Sequence, residues 1–326
     1  MQERRGLSRS ASVKPTPMKP QQANSFNMSF SGSSHLLRKQ RKKPTKAQSL
    51  SAFSISELTP TLRPDGKPAV SALAWGICDG NTAELLCGCN EDVRCEMASL
   101  TKVMTCYLSL RLVQTSAGLS FGQRVRVPRV AATMPGTRAG LREGDEVTVW
   151  DLLHGLMLPS GNDAAWCLAE HFGKYIQTVV AEHTVCRDYV GFFLMEMNVM
   201  AEDMGLPRTV FDTPHGLPNA KNRSCVRDLG KLVCICMKNS IFREIVGARA
   251  YTCHMQSHDQ YWLNTNKLLG LGWSGVKTGV TSAAGPCLSA TFQLQDQLYV
   301  VTLLKCPSLE ARWKDAITLE GWLRTK

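Results

Sequence analysis

Met97-Ala98-Ser99-Leu100-Thr101-Lys102-Val103-Met104-Thr105 is the stretch on which the reading of this chain turns. From Ala98 to about Gln114 apolar residues recur at helical spacing, with Leu100, Val103, Met104, Tyr107, Leu108 and Leu112 on the side expected to be buried. A helix that starts at the serine puts Ser99 and Lys102, three residues apart, on one face. A serine hydroxyl is a weak nucleophile until a base takes its proton. A lysine serves as that base only when neutral, so burial or a neighbouring cation must lower its pKa. The amino end of such a helix also presents backbone N–H groups to a developing oxyanion. Taken alone, the stretch reads more simply as an ordinary helix cap and a solvated lysine, so the rest of the chain has to decide.

Two further motifs follow in order. Ser160-Gly161-Asn162 is an S-x-N, expected on a polar loop after Leu152-Leu153-His154-Gly155-Leu156-Met157-Leu158-Pro159. There it brings a proton-relaying hydroxyl and an amide toward a scissile bond. Lys277-Thr278-Gly279 is a K-T-G at the end of an expected strand. A strand edge can receive an extended peptide by β-addition, and Gly279 leaves room for close backbone approach. Lys277 and Thr278 offer a charge and a hydroxyl to a terminal carboxylate, and Lys277 is also a cation able to depress Lys102. S-x-x-K or S-x-N turns up about once by chance in a chain of this length, whereas K-T-G occurs in about a few per hundred. The combination, in these structural contexts, is what carries information. With S-D-N in the middle, the trio is the signature of class A β-lactamases and penicillin-binding proteins.

The surrounding pattern is α+β. Val70–Cys78 reads as a strand, Asp79-Gly80-Asn81 as a turn and Thr82–Cys89 as the antiparallel partner. A mainly helical middle follows, with helices expected near Val149, Arg187 and Ser224. Strands return at Gly275–Gly279, Cys287–Leu294 and Gln297–Leu304, and a helix from about Ser308 to Leu323 closes the chain. Strands at both ends imply one antiparallel sheet built from both termini and flanked by helices. The inserted helical lobe packs on it, leaving a cleft between sheet and lobe. No internal repeat is present.

At this level the chain resembles the D-alanyl-D-alanine carboxypeptidases, the low-molecular-mass penicillin-binding serine peptidases of the β-lactamase/transpeptidase-like superfamily. Met97–Thr105 is similar to their active-site run, as is Leu152–Ala165. Met197-Asn198, Ala201, Met204-Gly205-Leu206, Thr209, Phe211 and His215-Gly216-Leu217 match the next block. Asn266, Leu268, Leu269, Gly275–Thr281 and Ala284-Gly285 complete a similarity over roughly residues 68–306. The resemblance implies an acylated nucleophile at Ser99, its base at Lys102 and a proton relay at Ser160. It implies that Asn162 holds the substrate amide and orients Lys102, and that Lys277 and Thr278 of the K-T-G, with Gly279, bind a terminal carboxylate. The N–H groups of Ser99 and Val280 would form the oxyanion hole. The implied substrate is a peptide ending in D-Ala-D-Ala, and β-lactams are the implied covalent ligands. No metal or organic cofactor is implied. Thr213 stands where the family usually has Asn, and Val280 where a larger ring residue is common.

Alternatives on the same scaffold are a β-lactamase-like enzyme, a serine esterase or a catalytically inactive binding protein. A class A β-lactamase needs a glutamate base between the second and third motifs. Glu182, Glu196 and Glu202 lie there, none in an E-x-x-x-N arrangement.

Bulk properties bound the rest. The net charge is +11, but residues 1–50 hold 11 of the 38 Lys and Arg and only Glu3 of the 27 acids. The remainder is close to neutral, so a specific nucleic-acid surface is not expected. Residues 1–55, rich in Ser, Lys and Arg, read as a disordered basic tail, with 56–326 as the catalytic domain. No apolar run is long enough to span a bilayer. No secretory signal is seen either, while a Ser-rich basic tail is also the composition of a transit peptide, so the expected compartment is cytoplasmic or organellar. The 13 cysteines lack zinc spacing, and several sit among apolar neighbours, as in Leu232-Val233-Cys234-Ile235-Cys236-Met237. They read as small buried hydrophobes in a reducing compartment.

Overall fold

The computed structural model describes residues 62–64, 66–180, 188–256 and 258–326. The tail expected over 1–55, and Glu182, lie outside them. Strand β1 (Ala74–Asp79) pairs antiparallel with β2 (Leu85–Cys89), as the turn at Asp79-Gly80-Asn81 requires. The strand begins four residues later than its sequence suggests. Residues 70–73 are held by the last helix instead: the Asp315 carboxylate accepts from Ser71 N (3.0 Å), Ser71 Oγ (2.8 Å) and Ala72 N (3.0 Å).

A two-residue strand β3 (Cys95–Glu96) leads into a 3-10 turn over Ala98–Thr101 and then α1 (Lys102–Thr115). The sequence predicts one buried face here. The structure buries Thr101 through Leu110 without interruption, so α1 runs through the core rather than along it. Its polar residues are satisfied across the chain: Thr105 Oγ1 donates to Pro214 O (2.6 Å) and Ser109 Oγ to Thr105 O (2.8 Å).

The inserted lobe starts with the short hairpin of β4 (Arg124–Arg126) and β5 (Glu146–Thr148), which frames a one-turn α2 (Arg129–Ala132). Helix α3 (Val149–Met157) is capped by Thr148, whose hydroxyl accepts from Asp151 N (3.1 Å). A nineteen-residue α4 (Asn162–Val180) and α5 (Tyr189–Asp203) complete the lobe. Leu152, Leu153, Leu156, Leu168 and Phe172 are wholly buried between these helices, each contributing roughly 1.5–3 kcal/mol. A short β6 (Arg223–Ser224) pairs with β3, and α6 (Val226–Cys236) packs on β1. Helix α7 (Ser240–Gly247) precedes a hairpin of β7 (Ala250–His254) and β8 (Asp259–Leu263), a pair the sequence reading did not foresee.

The chain then returns to the sheet through β9 (Gly275–Thr281), β10 (Gly285–Leu294) and β11 (Gln297–Leu304) and ends in α8 (Ala311–Leu323). The five strands lie in the order β2-β1-β11-β10-β9, all neighbours antiparallel, with Ala74 opposite Leu304. Both ends of the domain therefore build one sheet, as expected. Side chains alternate across it. Trp75, Ile77, Leu288, Phe292, Val301 and Leu303 face Ala316 and Leu319 of α8. Ala74, Cys78, Cys287, Val300 and Leu304 face the lobe and α1. Strand β9 is an edge of the sheet and packs against the serine turn, α1 and α7.

Candidate active site

Lys102 is fully buried, while Ser99 is half-exposed one turn before it. Lys102 Nζ lies 2.7 Å from Asn162 Oδ1, 2.7 Å from His215 O and 3.0 Å from Ser99 Oγ. The first two are pure acceptors. When the amine is neutral, these two acceptors use both of its N–H groups and leave its lone pair for the serine hydroxyl. Burial, then the charge of Lys277, hold the Lys102 pKa well below the ordinary lysine value, with Asp163 opposing. The solvated lysine of the simpler reading is excluded, and Lys277 acts as the cation the sequence suggested.

The serine turn is locked from several sides. Ala98 adopts φ 49°, a left-handed conformation costing about 1–3 kcal/mol, typical of functional turns. Thr101 Oγ1 donates to Ala98 O (2.9 Å) and accepts from Asn222 Nδ2 (2.9 Å). Gly216, at φ 83°, lies so close that a β-carbon there would sit 1.9 Å from Ala98 O. Thr213 Oγ1 accepts from Gly216 N (2.9 Å), so the threonine holds this loop in place.

The S-x-N segment differs from its sequence reading. Ser160 is in a tight turn at φ 67°, but Asn162 opens α4 instead of lying on a loop. Asn162 Oδ1 accepts from Lys102 Nζ (2.7 Å), so the structure brings these two residues together. The Asn162 amide nitrogen donates to Pro135 O (2.7 Å). Thr137 Oγ1 donates to Ser160 O (2.8 Å) and Asn162 N to Thr137 O (2.8 Å), lacing residues 135–141 to the motif. The next residue, Asp163, was not singled out from sequence. Its wholly buried carboxylate accepts from the N–H groups of Ala139 (2.8 Å), Gly140 (3.0 Å), Leu141 (3.1 Å) and Ala164 (2.9 Å). An acid in the first turn of a helix was the available signal.

On β9, Lys277 and Gly279 share the face toward the serine turn. A β-carbon on Gly279 would lie 3.0 Å from Ser99 N, so the close approach is between β9 and the serine turn itself. Thr278 Oγ1 is 2.7 Å from Thr265 Oγ1, and Lys277 Nζ donates to Thr278 O (3.0 Å). Burial and then Arg312 bring the Lys277 pKa down to about 7. Val280 is 51% exposed. Opposite it stands Pro286, which has no N–H and whose carbonyl accepts from Cys306 N (2.9 Å) on the β11 side. Pairing alternates along an antiparallel ladder, so the backbone N–H of Val280 points to the open edge, on the strand that packs against Ser99.

Arg312 reaches this strand from α8. It is 8% exposed, and its Nη1 donates to Gly279 O (3.3 Å) and Cys287 O (3.4 Å). Nothing local in the sequence marks it. His215 is buried; burial and Lys102 push its imidazole down to about 3, and Leu217 N donates to its Nδ1 (3.1 Å). Glu196 and Glu202 lie on α5, and no carboxylate is among the hydrogen-bond partners of Lys102. Among the described residues no His, Cys, Asp and Glu cluster suits a metal ion.

A buried lysine against a serine at a helix start, an S-x-N on a helical lobe and a K-T-G on a sheet edge define the active-serine class with the penicillin-binding fold. Comparison with known proteins agrees. Residues 62–304 match the profile of the Peptidase S11 family, D-alanyl-D-alanine carboxypeptidase. The D-alanyl-D-alanine carboxypeptidase of Streptomyces sp. strain K15 is 34% identical over 269 residues, covering 78% of this chain and 88% of that protein. The carboxypeptidase DacF of Bacillus subtilis is 30% identical over 76% of this chain, which spans only 59% of it. The crystal structure of the Streptomyces K15 DD-transpeptidase superposes with a TM-score of 0.71 at 32% identity, covering 79% of this chain and 99% of that one. The chain belongs to the D-alanyl-D-alanine carboxypeptidase family of serine peptidases.

Proposed function

We propose that the protein is a serine-type D-Ala-D-Ala carboxypeptidase working through an acyl-enzyme on Ser99. The contact of buried Lys102, its pKa held well below the ordinary lysine value, with Ser99 Oγ carries this reading. Lys102 takes the hydroxyl proton as Ser99 Oγ attacks the penultimate D-alanine carbonyl. The oxyanion is received by the N–H groups of Ser99 and Val280. Ser160 relays the proton to the leaving amine, and terminal D-alanine departs. Water, deprotonated by Lys102, then attacks the ester and frees Ser99. The substrate carboxylate is met by Lys277 and Thr278, with the buried charge of Arg312 behind the strand.

The relatives include a protein described as a transpeptidase, in which an amine replaces water as acceptor; this chain's partition between the two is read by adding an amino-acid acceptor. A β-lactam presents a strained amide to the same serine and is expected to acylate it.

The test is intact mass after incubation with a labelled penicillin, with peptide mapping, beside turnover of a D-Ala-D-Ala peptide. An adduct on Ser99 and release of D-alanine, both absent in Ser99→Ala, are expected. An adduct elsewhere, or turnover that survives Ser99→Ala, would refute the assignment. An adduct on Ser99 without turnover favours the retired binding protein.

A further inference from the structure

The basic residues of the folded domain are unevenly placed. No Asp or Glu occurs between Glu96 and Glu143, yet Arg124, Arg126, Arg129, Arg138 and Arg142 all fall there. Two of these arginines line a cavity of about 230 Å³ on the lobe, closed on its other side by α4. That volume is below the roughly 300–1,000 Å³ of sites for drug-sized ligands, so it suits one small group.

On the strand side, Arg124 and Arg126 stand two apart and share a face of β4. On the helix side, His171 and Lys174 stand three apart and share a face of α4. Neither Arg126 nor Lys174 is in an ion pair among the described residues, although Glu146 stands opposite Arg126 in the hairpin. The one acid in the lining, Glu170, already accepts from Trp166 Nε1 (3.0 Å). His171 Nε2 is shielded from solvent and has no hydrogen-bond partner. A buried polar nitrogen without a partner is costly, and a ligand atom would relieve it. Three cations against one carboxylate leave a surplus of two positive charges, which matches a phosphate monoester near neutral pH. Arginine pairs grip such a group through parallel N–H donors.

We propose that the cavity between β4 and α4 is a binding site for a phosphate group, formed by Arg124, Arg126, Lys174 and the unpaired nitrogen of His171. It is distinct from the serine site. His171 lies nine residues along α4 from Asn162, about 14 Å at 1.5 Å per residue.

Calorimetric titration of the full chain with inorganic phosphate tests this, beside the double variant Arg126→Gln/Lys174→Gln. Saturable binding is expected in the wild type, weakened at least about tenfold in the double variant as two charge-assisted contacts are lost. Turnover of a D-Ala-D-Ala peptide should be unchanged in the variant, which certifies its fold. Absence of saturable binding overturns the site, as does equal affinity in the double variant. So does an equal weakening in Arg208→Gln, an exposed arginine paired with Asp92 elsewhere. Acetate binding as tightly as phosphate overturns the dianion assignment. Glycerol phosphate and phosphatidate vesicles then separate a soluble phosphomonoester from a lipid headgroup: displacement of phosphate by either supports the site, by neither overturns the ligand class.

Discussion

Replacing Gly279 by alanine tests whether β9 positions the nucleophile. Gly279 is not in the left-handed region, so alanine fits its backbone and by chain entropy alone should stabilise by about 0.4–1 kcal/mol. The new β-carbon, however, would stand 3.0 Å from Ser99 N, 3.1 Å from Ala98 Cβ and 3.2 Å from Met97 O. Ordinary contact begins at 3.4 Å, and two of the three neighbours are backbone atoms that no rotamer change can move. The serine turn must therefore withdraw from β9 by about 0.4 Å. If a 1 Å misplacement costs about a hundredfold, this shift costs about five- to tenfold in acylation. Overpacking of about 1–3 kcal/mol outweighs the entropy gain and leaves a net loss of about 1 kcal/mol. The assay is the second-order rate of acylation by a fluorescent penicillin, with thermal unfolding alongside. An acylation rate within about twofold of wild type, together with an unchanged or raised melting temperature, would show that the K-T-G glycine is there for substrate alone.

Other expectations follow from the same geometry. Lys277 has a pKa near 7 and must be charged to meet a carboxylate, so kcat/KM should decline as pH rises through that value; in Lys277→Arg the alkaline limb should vanish, and an unshifted profile would assign it elsewhere. Lys102 gives the acid limb, and its lowered pKa makes the buried ammonium unfavourable at low pH. Stability should therefore rise with pH from the folded Lys102 pKa toward 10.5, since the unfolded chain binds the extra proton in that window. Asp163→Ala strands four backbone N–H groups and should cost at least about 3 kcal/mol by urea unfolding; a loss under about 1 kcal/mol would mean water replaces the carboxylate. Of the twelve described cysteines ten are buried, so a bulky thiol reagent on the native protein should modify Cys87 and Cys89 and spare the ten until unfolding.

The sequence was most informative where chemistry and local periodicity coincided. Ser99 and Lys102 are three apart in one local stretch, and β10 and β11 are largely apolar runs with a turn at Gln295-Asp296 between them, so both could be read locally. The start of α4 was concealed because it falls within the S-x-N motif, whose polar residues resemble a loop. The first-turn acid, Asp163, is a local helix signal, but its partners at residues 139–141 are not visible from the local sequence. The burial of α1 on all sides could not be read either, because Thr105 and Ser109 look solvent-facing until Pro214 O and the helix's own backbone satisfy them. In β8, Tyr261-Trp262-Leu263 is uniformly apolar, yet only Trp262 is buried. Uniform composition erased the alternation that would have marked a strand. Arg312 and the carbonyl of His215 join the site only through tertiary folding.

The sheet order has a consequence for the chain during its synthesis. Ser99 and Lys102 belong to the early part, but β9 is held in place by β10, and β10 by β11, which ends at Leu304. At about 5–20 residues per second, the ribosome needs roughly 10–40 s to pass from the serine to the end of that strand. Throughout this interval the nucleophile exists without the edge strand that packs against it or the outward N–H of Val280. A nascent chain should thus be inert toward penicillin until its final strand has been released, and the enzyme's reactivity arises in one late step rather than by degrees.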